Sequence, residues 1–199
     1  MKKYFAFILL SAIALTVSGQ DKLDYDWGLK GGLNNSKITT DRGQFSSETI
    51  NNFHFGAFVR LNLGRFYIQP EAYLISKGGD IKAIASYNPL QTISSFNYNS
   101  FDLPVLIGVK VVDLKAFNLR VLAGPAFSFL TKKNIDNDLD TFSVRNFKDH
   151  FFAWQYGVGI DVLFLTFDAR IERSTGDIYS GTEMSGKNNT LLLSLGIKF

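Results

Sequence analysis

Two histidines, His54 and His150, are the first candidates for chemistry in this chain. Imidazole is the commonest general base in enzymes, but a hydrolase also needs a nucleophile within hydrogen-bond reach of it. In the strand pattern described below, Ser128 lies on the interior side, and no serine on the opposite side lies near either histidine. We therefore interpret both histidines as polar residues without a catalytic role, and the sequence assigns no catalytic residue.

The segment NIDNDLD, residues 134–140, places oxygen-bearing side chains at alternate positions, as calcium-binding loops do. Thr141 stands where such a loop has glycine after its third acid, and no glutamate occupies the closing position. A solvated acidic loop is the favoured interpretation, and calcium binding stays open. No cluster of metal-ligand spacing, nucleophile elbow or nucleotide motif occurs, so the sequence predicts neither a metal nor a cofactor.

The N-terminus, MKKYFAFILLSAIALTVSGQ, has the layout of a secretory signal peptide. Two lysines precede a short apolar run, and Val17-Ser18-Gly19 resembles a cleavage site. We predict a signal peptide at 1–19 and a single domain at 20–199.

Without Lys2 and Lys3 the basic residues number 21 − 2 = 19 against 18 acidic ones. This balance, with no basic patch among aromatics, gives no reason to expect nucleic acid as a partner. There is no cysteine, so no disulfide is expected.

Alternation of apolar and polar residues with period 2 dominates the rest of the chain and predicts β-strands. Pro70 and Pro125 fall inside two of them, where we expect bulges or local fraying because proline cannot donate to a strand ladder. The eight predicted strands cover residues 25–34, 52–63, 65–77, 96–112, 117–130, 151–163, 165–173 and 190–199.

One side of every strand is apolar, and the other mixes glycine with charge. The charged set has six basic and five acidic members, which in a narrow interior should pair into a structural polar network. Its members are Lys30, Arg60, Glu71, Asp102, Lys110, Arg120, Asp161, Asp168, Arg170, Glu172 and Lys198.

Alternation alone fits either a soluble ligand-binding barrel with an apolar interior or a membrane barrel with an apolar exterior. Connection lengths favour the membrane form, because short links at Gly64, 113–116 and Phe164 alternate with four long ones. Aromatic residues also gather near strand ends, as membrane interfaces favour. The predicted turn-side belt is Tyr25, Trp27, Phe66, Phe117 and Phe199, and the predicted loop-side belt is Phe53, Phe127, Phe129, Phe151 and Trp154.

The fold class predicted is therefore all-β, an eight-stranded antiparallel up-and-down transmembrane β-barrel. Segments such as WGLKGGLNNS, FDLPVLIGVKV and the terminal LLLSLGIKF resemble the PorT-like outer-membrane β-barrel family of Gram-negative bacteria. The resemblance covers the mature chain. It implies an outer-membrane location with both termini periplasmic, and it offers a type IX secretion accessory role as one possibility. Phe199 resembles the signal that the barrel-assembly machinery reads.

The expected function is non-enzymatic: a structural, adhesive or export-accessory membrane protein whose long loops bind a secretion-system or surface partner. The expected partners are outer-membrane lipid and the barrel-assembly machinery. Two alternatives remain at this point, a lipid-modifying outer-membrane enzyme and a soluble lipocalin-like barrel.

Overall fold

The computed structural model describes residues 24–40, 45–83, 93–136, 148–177, 179–180 and 185–199. The predicted signal peptide at 1–19 lies outside these residues. The strands of the described part are β1 Asp24–Thr40, β2 Phe45–Glu48, β3 Ile50–Leu63, β4 Phe66–Ala83, β5 Ile93–Asp113, β6 Phe117–Asp136, β7 His150–Val162, β8 Leu165–Ser174, β9 Tyr179–Ser180 and β10 Ser185–Lys198.

Eight long strands form one closed antiparallel sheet. They pair in the order β1-β3-β4-β5-β6-β7-β8-β10, and β1 pairs again with β10. This closing pairing runs from Gly28 opposite Lys198 to Thr40 opposite Gly186. Because every long strand has two neighbours, the backbone groups are satisfied around the whole circumference. The predicted eight-stranded barrel is confirmed.

The strands are longer than the alternation predicted. β4 continues to Ala83, and β5 already begins at Ile93. In the residues that extend these strands, Gly78-Gly79-Asp80 and Ser94-Ser95 interrupt the alternation of apolar and polar residues, although the hydrogen-bonded ladder continues. The two short strands were not predicted for the same reason; β2 pairs with β4 and β9 with β10.

The short connections lie together at one end of the barrel, which we call the turn end. The opposite end, where the longer connections lie, is the loop end. Gly64 and Leu163 have φ values of 66° and 55° in two-residue links. A positive φ suits glycine but is unfavourable for leucine, so the Leu163–Phe164 link is held by its surroundings. Leu163 donates its backbone N–H to the carbonyl of Ala116, 3.0 Å away, which ties two turns together.

Proline interrupts the ladder locally without changing its register. The β3–β4 pairing lapses opposite Pro70, between the pairs Phe58–Glu71 and Leu61–Ile68. The β5–β6 pairing lapses beside Pro104 and Pro125. The bulges of this strand pair lie elsewhere, between Asn99 and Ser100 and between Lys110 and Val112.

The apolar side of each strand faces outward, so the apolar side chains of the sequence pattern surround the barrel. Leu33 is 54 % exposed and Leu195 is 51 % exposed, whereas the charged side is buried. The interpretation as a soluble barrel with an apolar interior is therefore wrong. Within the described part of the chain, no helix has the length and apolar character needed to cross a membrane.

The predicted aromatic residues are exposed near the strand ends, with one exception. The turn-end group includes Trp27 and Phe199, whose rings lie 4.9 Å apart. Phe151 was expected in the loop-end belt but is buried, with 7 % exposure. It follows the parity of Gln155, which also faces the interior, so the strand pattern itself places Phe151 inside.

Candidate functional site: a charged barrel interior

The interior contains nearly all the charged side chains that the sequence pattern placed there. Lys110 and Lys198 are partly exposed, and the other predicted members of the network are buried. Strand parity brings them together, because alternate residues of all eight long strands point to one side of a closed sheet.

Near the turn end, two arginines hold two aspartates. Arg60 donates from Nη1 to Asp161 Oδ2 at 2.7 Å. Arg120 donates from Nη2 to Asp161 Oδ1 and to Asp168 Oδ1, both at 2.9 Å. We call Arg60, Arg120, Asp161 and Asp168 the turn-end cluster. Its charges are paired and hydrogen-bonded, which a buried charge requires.

A central cluster of Lys30, Glu71 and Arg170 continues the network along the barrel. Lys30 Nζ donates to Asp168 and, at 3.0 Å, to Glu71 Oε1. Arg170 donates from Nη1 to Glu71 Oε2 at 2.5 Å and from Nη2 to the Tyr73 hydroxyl at 3.0 Å. Lys30 therefore joins the central cluster to the turn-end cluster.

The loop-end cluster is built around one lysine. Lys77 Nζ donates to Asp102 Oδ2 at 2.6 Å and to Glu172 Oε1 at 2.5 Å. Gln155 and Asn188 also donate to Glu172, at 2.8 and 3.1 Å. Asp102 Oδ1 is buried with no hydrogen-bond partner among the described residues, as are the hydroxyls of Ser100 and Ser128.

The buried charges of the described residues cancel overall but not locally. The turn-end and central clusters hold four cations and three anions, which gives +1; the loop-end cluster holds one cation and two anions, which gives −1. The cations are Lys30, Arg60, Lys77, Arg120 and Arg170, and the anions are Glu71, Asp102, Asp161, Asp168 and Glu172.

Glycines make room for these large side chains. A Cβ atom at Gly159 would lie 2.3 Å from Asp168 Oδ1 and 2.6 Å from Arg120 Nη2. A Cβ atom at Gly108 would lie 2.1 Å from the Tyr67 ring. Eight strands leave an interior just wide enough for its side chains, so these positions need a residue without a side chain.

The two partly exposed lysines lie toward the turn end. Lys198 Nζ is 3.5 Å from Asp26 Oδ1, and Asp26 Oδ2 is 3.6 Å from Arg60 Nη1. Lys110 lies at the β5 bulge, and its side chain forms no ion pair with the other described side chains.

The sequence prediction missed Lys77 and Asp26, although both have the interior parity. Lys77 closes the predicted third strand, six residues after Glu71 on the same side. Counting every charge of one parity to the strand end would have found it. The neutral partners Tyr67, Tyr73 and Gln155 were also missed, because their roles depend on distances between strands. The Tyr67 hydroxyl accepts from Arg120 Nη1 at 3.2 Å.

The one histidine–serine contact among the described residues lies inside the barrel. His54 Nε2 is 2.8 Å from Ser194 Oγ, and the His54 ring packs edge-on against Tyr73. His54 Nδ1 has no partner among the described atoms, so the acid that orients the histidine of a catalytic triad is not in place there. His150 is exposed at the start of β7. Alternation in the sequence places His54 and Ser194 on the interior side, but it cannot show that they are in contact, because that depends on the register between strands.

The described side chains contain no group of three or more histidine, cysteine, aspartate or glutamate residues arranged for a metal. Of the acidic segment 134–140, residues 134–136 belong to β6, and the remainder lies outside the described residues.

A closed sheet with an apolar exterior and a charged interior defines the class of membrane β-barrel proteins. A family model described as outer membrane protein beta-barrel domain matches residues 18–180. The chain belongs to this family, and it is accordingly an outer-membrane protein.

Several solved barrels have similar structures at low sequence identity. Ail, the attachment invasion locus protein of Yersinia pestis, is 12 % identical with a TM-score of 0.47, over 89 % of this chain and 100 % of that chain. Neisserial surface protein A is 6 % identical with a TM-score of 0.46, over 87 % and 97 %. The outer membrane protease OmpT from Escherichia coli is 10 % identical with a TM-score of 0.47, over 92 % and 99 %. Similarities at this level carry no functional argument. A comparison with curated proteins finds no match.

Proposed function

We propose that this chain is a non-enzymatic outer-membrane barrel with a closed interior, and that it acts through its long loops. The observation that carries the proposal is a continuous polar network from partly exposed Asp26 at the turn end to buried Asp102 at the loop end. Its central and loop-end clusters are joined by Gln155, which accepts from Arg170 at 3.2 Å and donates to Glu172 at 2.8 Å. Among the described residues, five buried cations and five buried anions leave no net charge to attract an ion of either sign. The polar network thus has a structural role, and the interior is a plug.

Electrical recording from the barrel in a planar bilayer tests the plug. We expect no stable conductance from the wild-type protein. Glu71→Arg places a positive charge among buried cations, and Arg60→Glu places a negative charge among buried anions. Both variants should therefore lower barrel stability more than they raise the current. A charge-reversal variant that unfolds like the wild type and carries a new current would refute the structural role.

We further propose that the loop end faces the exterior and that both termini are periplasmic, since outer-membrane barrels have short periplasmic turns. The chain contains no cysteine, so single cysteines can report orientation directly. Lys148→Cys at the loop end should react with a membrane-impermeant maleimide in intact cells, and Lys115→Cys at the turn end should react only after lysis. The opposite labelling pattern would invert the orientation.

A PorT-like role in type IX secretion is the specific form of this proposal, supported by the resemblance of the strand segments. It predicts that a deletion strain loses a set of secreted proteins and that the wild-type gene restores them. An unchanged set of secreted proteins, with the barrel confirmed in the outer membrane, would leave adhesion or a structural role through the loops.

We also propose that Phe199 is read by the barrel-assembly machinery. Phe199 exchanges backbone hydrogen bonds of 3.1 and 2.7 Å with Trp27, so its backbone completes the barrel seam. Phe199→Gln keeps that backbone and removes the aromatic ring. It should lower assembly in cells while refolding in detergent stays near normal. Equal assembly of both proteins in cells would contradict the role.

A lipid-modifying enzyme is the second candidate, because the His54–Ser194 contact is the pairing that a serine hydrolase uses. Mass spectrometry of lipid A from cells with the wild-type gene, with His54→Ala and without the gene would test it. We expect the three spectra to agree. A modification that is present only with the wild-type gene would favour the enzyme.

A further inference from the structure

A groove of about 450 Å³ runs along the outer wall of the barrel, on strands β7, β8, β10 and β1. The side chains that face outward into it are apolar. They include Leu33, Ile160, Phe167, Leu193 and Leu195, with small residues at Gly31 and Ala169. In an outer-membrane protein this wall faces the acyl chains of the bilayer.

Gly31 keeps the groove open without being required by the packing of the barrel. A Cβ atom there would be 3.6 Å from the Phe55 ring and 3.7 Å from the His54 carbonyl, which are ordinary contacts. Its neighbour Gly32 faces inward, where a Cβ atom would lie 1.9 Å from the carbonyl of Leu193. A Cβ atom therefore fits at position 31, unlike position 32, and a side chain there would extend outward into the groove.

A row of polar and basic side chains crosses the same strands toward the loop end. Strand register places Arg173 opposite Asn189 and Asn189 opposite Lys37. We call Arg173 and Lys37 the basic row; both side chains are exposed and share the outward parity of the groove residues. Lys187, also exposed, lies two residues farther along β10.

The groove and the basic row are continuous. Asn189 is four residues from Leu193 on β10, about 13 Å along the strand. Ile171 and Leu191 fill the interval with apolar surface, with exposures of 37 and 42 %. Among the described residues of β7, β8, β10 and β1, no acidic side chain has the outward parity. Among the described residues of these four strands, the outward surface thus combines the apolar groove with basic side chains nearer the loop end.

We propose that this face binds a phosphorylated glycolipid of the outer leaflet, with an acyl chain in the groove and a phosphate at the basic row. Arginine and lysine recognise phosphate by charge-assisted hydrogen bonds, and basic residues at the edge of a bilayer attract anionic headgroups. The assignment to the outer leaflet rests on the proposed orientation of the loop end. The binding chemistry rests on the surface alone.

Native mass spectrometry of the full mature protein in detergent measures the binding. The probes are bis-phosphorylated lipid A and the same lipid A after removal of both phosphates. We expect the wild type to prefer the phosphorylated form and Lys37→Gln/Arg173→Gln to lose that preference. Two basic residues at a headgroup correspond to roughly a 30-fold change in affinity.

The matched control is Arg65→Gln/Lys115→Gln, which removes one exposed arginine and one exposed lysine at the turn end. This variant should keep the preference. No preference in the wild type, or equal losses in the two double variants, would overturn the proposal, because the second result means general charge attraction.

The groove is tested by Gly31→Leu, with Ala57→Leu as the control on the neighbouring wall of β3. Gly31→Leu should weaken binding of both lipid forms. Its unboiled and boiled samples should still differ in electrophoretic mobility, as folded and unfolded barrels do. Ala57→Leu should leave binding unchanged. Unchanged binding in Gly31→Leu would overturn the acyl-chain site. A dimer that Gly31→Leu removes would assign the groove to a second copy of the chain and overturn the proposal as well.

These results can be separated from failure of the proposed function. Binding in detergent does not depend on orientation in the cell, whereas the cysteine labelling does. Inverted labelling with an intact phosphate preference would refute the outer-leaflet source but keep the binding chemistry. Correct labelling without a preference would refute this site alone.

Discussion

The two ends of the barrel interior solve the same problem, burial of charge, in different ways. At the turn end, Arg120 joins Asp161 and Asp168 in one hydrogen-bonded unit. At the loop end, Lys77 alone serves two carboxylates, and Asp102 Oδ1 has no partner among the described residues. Arginine presents five donors in a planar fork, whereas lysine is a point charge with three.

The difference indicates where the barrel depends most on its interior. Each acid of the turn-end cluster contacts two cations. Loss of one acid therefore leaves two buried cations each short of an anionic partner. The loop-end cluster has a surplus of one negative charge, so it can lose an acid and keep Lys77 paired. The interior should therefore be stabilised mainly near the turn end, and the loop end should tolerate change.

The largest effect is expected from Asp168→Asn. This change keeps the shape but removes the negative charge that Lys30 and Arg120 share. Breaking a buried ion pair from one side costs about 3 to 5 kcal/mol, because the remaining charges stay buried. Urea unfolding in detergent, followed by the mobility of unboiled samples, measures the change.

The control is the same substitution at the rim, Asp26→Asn. The Asp26 side chain is 21 % exposed and lies 3.5 to 3.6 Å from its two cationic partners. A pair with access to water contributes within about 1 kcal/mol. Equal losses in the two variants would contradict the difference between buried turn-end charges and charges at the rim.

Much of this architecture was predictable from the sequence. The period-2 pattern identified the eight long strands, and their parity placed Arg120 and Asp168 inside, because alternation is a property of each strand alone. The short links at Gly64 and Phe164 also indicated which strand ends lie together.

The partners were not predictable, because pairing depends on register between strands distant in sequence. Lys30 contacts Asp168 across 138 residues, and no local pattern contains that information. Lys77 was missed because the apolar side of the predicted third strand ends at Leu74, three residues earlier, although its interior parity can be read from the sequence. The groove at Gly31 was likewise hidden, because the sequence does not distinguish a glycine that relieves packing from one that leaves open space.

A pair of glycine substitutions gives the next largest effect. At Gly159 a methyl group would collide with the Arg120–Asp168 pair, whereas at Gly31 it meets nothing closer than 3.6 Å. Overpacking a filled interior costs about 1 to 3 kcal/mol, so Gly159→Ala should destabilise the barrel by that amount. Gly31→Ala should change stability little or raise it by about 0.5 kcal/mol, since alanine restricts the unfolded chain.

The same urea titration compares the two glycine variants. If Gly31→Ala destabilises the barrel as much as Gly159→Ala, then the backbone requires glycine on both the inner and the outer face of the sheet. The distinction between a packed interior and an open exterior groove would then be wrong.

A smaller effect is expected from Ser194→Ala. The change removes the hydroxyl 2.8 Å from His54 Nε2 and leaves that nitrogen buried without its partner. A single neutral hydrogen bond contributes about 1 kcal/mol, so the free energy of unfolding should fall by that amount. Ser128→Ala is the matched control, because the Ser128 hydroxyl has no partner among the described residues to lose. A larger loss at Ser128 would show that its hydroxyl is held by a contact beyond those described.

The smallest effect is expected from Asp102→Asn, the loop-end counterpart of Asp168→Asn. Lys77 keeps Glu172 at 2.5 Å, and Glu172 keeps its bonds from Gln155 and Asn188, so every charge of the cluster stays paired. The free energy of unfolding should stay within about 1 kcal/mol of the wild type, which is the contribution of one hydrogen bond. Lys77→Met leaves two buried carboxylates without their cation and should cost several times more. If Asp102→Asn proves as damaging as Asp168→Asn, the negative charge of Asp102 is needed at the loop end. A cation at that end must then bind the second carboxylate oxygen of Asp102, and both ends of the interior depend equally on charge pairing.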